Sequence, residues 1–82
     1  MSINNIYPHE HFIQLEGLSP FLIGRIVINK QGEQFSSEID IVQSDSGKIY
    51  NHVAILYGAM DAREALDLSV HRLSRYLQER NI

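Results

Sequence analysis

Two histidines and a glutamate stand together in HEHFI, residues 9–13. Imidazole beside carboxylate is the ligand set of zinc and the working pair of acid–base catalysis. A metalloprotease helix needs His-Glu-x-x-His, which sets two imidazoles one turn apart over a single ion. The position required for the second imidazole is Ile13, so that motif is absent. His9 and His11, two residues apart, can instead share one face of a strand and chelate an ion while Glu10 points away. A stable site needs a third or fourth ligand, and His52, His71, Glu16 and Asp45 are the candidates for it. The competing reading places His9 and His11 on a solvated N-terminal arm, residues 1–11, with Pro8 inside it.

Other residues that could do chemistry are scattered. His52 could serve as a general base, but no partner for it is evident in the sequence. Glu38 and Asp40, two apart, fall on one side of an extended segment, where paired carboxylates can do acid–base work or simply solubilise a strand. Ser36, Ser37, Ser44 and Ser46 lack the Gly-x-Ser-x-Gly setting of a nucleophile elbow. The five glycines are isolated, so no phosphate-cradling loop exists. With no cysteine, disulfides, thiolate metal sites and a thiol nucleophile are excluded. His71, Arg72 and Arg75 form a basic group near the C-terminal end that suits an acidic surface or a phosphate. A net charge of −3 argues against bulk nucleic-acid affinity. These observations predict no cofactor and no catalytic residues.

The elements that must hold these residues are legible from periodicity. At 82 residues with 44% hydrophobic and 21% charged side chains, the chain reads as a single globular domain, residues 1–82. FLIGRIVIN (21–29) has the β-branched content of a strand. The Gly-containing NKQGEQ turns it into FSSEIDIVQ (35–43). There Phe35, Ser37, Ile39 and Ile41 alternate with Ser36, Glu38, Asp40 and Val42, which predicts one buried and one wet face. SDSGK turns again into IYNHVAILY (49–57). FIQLEG (12–17) is a candidate fourth strand. Gly24, inside a strand, predicts a bulge or a close backbone approach.

Over residues 61–80 the sequence predicts a C-terminal helix. Asp61 and Glu64 have capping-box spacing. Ala62, Ala65, Leu66, Val70, Leu73, Tyr76 and Leu77 make one apolar stripe, and acids precede bases as the helix dipole favours. The whole is an α+β fold: a three- or four-stranded antiparallel meander with one C-terminal amphipathic helix packed on one face.

One helix covers one face only. Phe21, Ile23 and Val27 point one way on the strongest strand, and Leu22, Ile26 and Ile28 the other. The second apolar surface therefore needs its own cover, either Ile3, Ile6, Tyr7 and Phe12 or a second copy of the chain. A homodimer is the expectation, with Leu22, Ile26, Ile28, Arg72 and Arg75 as interaction residues.

VAILYGAMDAREALDLSVHRLSRYLQER (53–80), following two hairpin strands, resembles the end of small bacterial β-β-β-α domains, above all the HicB-like antitoxin domain. The matching positions are Gly58, Glu64, Ala65, Leu66 and the Tyr76-Leu77 end. The proline-bearing loop of that family between its second and third strands is replaced here by QSDSGKIYN. The resemblance implies a sheet-and-helix fold and a role as an antitoxin, inhibitor or regulatory accessory. The expected function is thus a non-enzymatic protein-interaction module with a protein partner. Nucleic-acid binding through the arginine-bearing helix is the alternative, and a metal-dependent protein using His9 and His11 the second. Apolar runs too short to span a bilayer and the lack of cysteine predict a protein without membrane partners, located in the cytoplasm.

Overall fold

The computed structural model describes residues 7–80. Four strands, β1 (His9–Ile13), β2 (Leu22–Gln31), β3 (Gln34–Gln43) and β4 (Ile49–Ala59), precede helix α1 (Ala62–Arg80). The strands pair antiparallel in the order β1-β2-β3-β4, a meander, and α1 packs across one face. The expected α+β architecture is the one observed, in its four-stranded form.

Short connections dictate this order. Gly32 and Glu33 join β2 to β3, and Gly32 takes a positive φ of 64°, the conformation tight hairpin turns require. The fourth strand is HEHFI itself. FIQLEG had been the candidate, but the strand ends at Ile13, and the chain turns through Gly17, φ 93°, before Pro20. Residues 9–11 are therefore strand, not arm.

Cross-strand rows define the helix-covered face: Ile13, Gly24, Ile41 and Asn51; then His11, Ile26, Ile39 and Ala54; then His9, Ile28, Ser37 and Leu56. Ala65, Ser69, Leu73 and Leu77 of α1 close over them. Ile26 and Ile28, expected as an interaction surface, are instead fully buried in this core. Leu22 is partly buried at its margin. The apolar faces of Ile26 and Ile28 are the ones the helix needs.

Gly24 is where α1 comes nearest: a Cβ there would lie 2.5 Å from Leu73 Cδ2. The close approach expected at Gly24 is present. Ser69 sits in the middle of the helix stripe, its Oγ 2.6 Å from Ser37 Oγ and 2.7 Å from the Ala65 carbonyl oxygen. The start of α1 is capped from both sides. Asp61 accepts from the Glu64 amide at 2.7 Å, while Glu64 accepts from the Met60 amide at 2.7 Å.

Tyr7 packs edge-on against Phe35, ring centres 5.5 Å apart, and so joins the helix side. Of the two described residues expected to cover the opposite face, Tyr7 and Phe12, Phe12 lies on it and is about half exposed. Ile3 and Ile6 lie outside the described residues.

Candidate functional site

The face turned away from α1 carries its own rows. Phe12, Arg25, Asp40 and His52 cross all four strands in register. Beside them run Glu10, Val27, Glu38 and Ile55, and on the other flank Ile23, Val42 and Ile49. This face was expected to be wet at β3. Asp40 and Val42 are instead 0% exposed, because β3 is internal and the longer side chains of β2 and β4 close over it.

Charge gathers in the middle of this face. Arg25 donates from Nε to Glu10, and its Nη1 lies 3.7 Å from Asp40 Oδ2. Asp40 Oδ1 is 2.8 Å from His52 Nδ1. Asp40 Oδ2 is buried without a hydrogen-bond partner among the described residues. Glu38 joins them: hydrogen bonding to Asp40, then its like charge, then burial hold Glu38 above the ordinary carboxylate range, against the pull of His52 and Arg25. The Asp40–His52 pair has the form of an orienting carboxylate holding a half-exposed imidazole.

Sequence reasoning gave His52 no partner, and the reason is a bulge. The β3–β4 hairpin closes with Val42 opposite Ile49, a register that would set Asp40 opposite Asn51. A shift between Ile41 and Val42 moves β4 by one residue and brings His52 opposite Asp40 instead. The usable signal was the acid and the histidine nearly equidistant from the SDSGK loop.

His9 and His11 do share one strand face, as expected. Their rings stack, centroids 4.3 Å apart and planes within 6°. Ring lone pairs lie in the plane, so in parallel rings they run side by side and do not converge on one ion. The two line a groove with Tyr7, Ile28, Ala62, Arg63, Leu66 and Asp67. Burial, and then the neighbouring His9, push His11 below the usual imidazole value. The proposed further ligands are elsewhere: His52 is bonded to Asp40 on the opposite face, and His71 lines a different groove. Among the described residues, the carboxylate–histidine group near enough to share an ion is Glu38, Asp40 and His52.

Arg72 and Arg75 lie with His71 in a groove at the outer border of β4 and α1, with Leu56, Tyr57 and Leu68. Arg75 also pairs with Glu79 at 3.1 Å. No helix among the described residues is long and apolar enough to cross a membrane. Compared with protein-family models, curated proteins and solved structures, the chain matches none of them.

Proposed function

We propose that this domain is a non-enzymatic protein-interaction module that works as a homodimer, two copies meeting along the border of β4 and α1. The observation that carries the reading is the uncharged, exposed apolar character of that border. β4, an edge strand of 11 residues, contains no lysine, arginine, acid or proline. Edge strands are ordinarily guarded by such residues. Tyr57 is 71% exposed and Leu68 49%, and both line the groove with Arg72 and Arg75.

Charge complementarity selects a second copy as the occupant. Glu64, Leu68, Arg72 and Arg75 follow one another at helical spacing on α1. Acid, leucine, base is a self-complementary order when two such helices run antiparallel about a two-fold axis. Leu68 then meets its mate near the axis, and the arginines of each copy approach Glu64 of the other. Register shifts at three places in the β3–β4 pairing bend β4, so the contact is made by side chains and not by a continued strand ladder.

Burying Tyr57, Leu68 and Met60 of both copies contributes on the order of 5–10 kcal/mol. Association costs roughly 4–15 kcal/mol, which leaves at most about 6 kcal/mol, so a weak dimer of tens of micromolar or above is the expectation. The HicB-like resemblance points the same way, towards a protein whose work is binding another.

Sedimentation equilibrium from the micromolar into the millimolar range tests the dimer. The wild type is expected to approach twice 9.4 kDa and Leu68→Glu, at an exposed position, to stay at 9.4 kDa with unchanged circular dichroism. A wild type that remains at 9.4 kDa ends the proposal.

A further inference from the structure

We propose that Glu38, Asp40 and His52 form a binding site for a divalent transition-metal cation of the zinc or manganese type. The site is built by two strands of one copy and does not depend on the dimer. Glu38 and Asp40 are two apart on β3, so both carboxylates leave the same face. His52 stands opposite Asp40 on β4. One donor atom from each lies within 4.8 Å of the others.

The independent observation is Asp40 Oδ2. Asp40 is 0% exposed, yet this oxygen receives no hydrogen bond among the described residues. A buried carboxylate oxygen without a donor is costly unless a cation meets it. Arg25 fills that role only in part: its Nη1 pairs with Oδ2 as an ion at 3.7 Å, beyond hydrogen-bond reach, and its Nε is committed to Glu10. Glu10, Glu38 and Asp40 face this one arginine, which leaves an excess of negative charge that a doubly charged ion would cancel.

Ligand chemistry narrows the ion. Two carboxylates with one imidazole suit Zn²⁺, Mn²⁺ or Fe²⁺; calcium prefers six to eight oxygens, and soft copper(I) prefers sulfur. Ligand distances of about 2.0–2.2 Å bring donor atoms closer together than they stand here. Asp40 is fixed by burial, so Glu38 and the half-exposed His52 make the adjustment. His52 Nδ1, now 2.8 Å from Asp40 Oδ1, turns its lone pair to the ion and carries its proton on Nε2. Three protein ligands leave coordination positions open towards the uncovered face.

The experiment is calorimetric titration of ZnCl₂ and MnCl₂ into chelator-treated full-length protein, with imidazole nitrogen shifts followed by NMR. Saturable binding of one ion per chain is expected, with the His52 ring nitrogens shifting. Glu38→Gln and His52→Ala, both at partly exposed positions, should each lose about tenfold or more in affinity. The double variant His9→Ala/His11→Ala should bind like the wild type. The proposal is overturned if neither metal saturates, or if Glu38→Gln and His52→Ala bind as the wild type does. It is equally overturned if binding disappears with His9 and His11, and if acid alone moves the His52 signals while metal does not, which would assign the site to a proton shared by Glu38 and Asp40.

Discussion

Replacing Gly24 with alanine tests how closely α1 is seated on the sheet. The added Cβ would fall 2.5 Å from Leu73 Cδ2 and 3.1 Å from the Ile13 carbonyl oxygen. Carbon atoms pack best at about 3.5–4.0 Å, so the leucine methyl must retreat by about 1 Å. Leu73 is fully buried, with the core isoleucines around it, and a rotamer change there displaces them in turn. Overpacking of this kind costs about 1–3 kcal/mol. Alanine recovers about 0.5–1 kcal/mol because glycine loses more backbone freedom on folding. Gly24→Ala is therefore expected to destabilise by about 1–2 kcal/mol. Leu73→Ala alone should cost about 2–5 kcal/mol through the cavity it leaves. In that background the new methyl enters vacated space, so the double variant should be more stable than the two single costs predict, by about 1–3 kcal/mol. Urea denaturation followed by circular dichroism, at one fixed protein concentration, measures all four corners of the cycle. Additive effects, or a Gly24→Ala protein as stable as the wild type, would refute the close seating.

Two further outcomes follow from buried or crowded polar groups. Ser69→Ala removes a partner from Ser37 inside the core and is expected to cost about 1–3 kcal/mol, while Ser37→Ala added to it restores part of the loss; thermal unfolding reads both. His11, whose folded-state value lies below the ordinary 6.5, contributes stability in full above pH 6.5, and this is lost as pH falls through the lowered value. The slope of stability against pH just below 6.5 should accordingly flatten in His11→Gln, and an unchanged slope would remove His11 as its source.

Periodicity disclosed most of the fold because the strands and the helix each bury a repeating face. The alternation of Phe35, Ser37, Ile39 and Ile41 and the Leu73–Leu77 stripe mark the helix-covered core, and the Asp61–Glu64 cap marks where the helix begins. What periodicity did not disclose was which apolar face of β2 the helix takes. Ile26 and Ile28 look as suited to a partner as to a core, and only the closeness permitted by Gly24 decides between them. The placement of the fourth strand slipped because FIQLEG is more apolar than HEHFI, whereas pairing to β2 follows backbone geometry. The charged group at Asp40 was half legible. Glu38 and Asp40 were visible as a pair, but His52 reaches them through a one-residue bulge that leaves no mark in hydrophobic pattern.

Meander topology also sets the order in which this chain can become stable as it is made. Each strand finds its partner in the neighbouring segment, so hairpins form early and at small loop-closure cost. Yet Ile26, Ile28, Ile39 and Ile41 have nothing to rest on until residues 62–80 have been synthesised, because Ala65, Ser69, Leu73 and Leu77 supply the other half of the core. During translation the nascent sheet therefore shows both faces to the cell, and its uncharged segments are then most open to unwanted association. Docking of α1 is the step that ends this exposure.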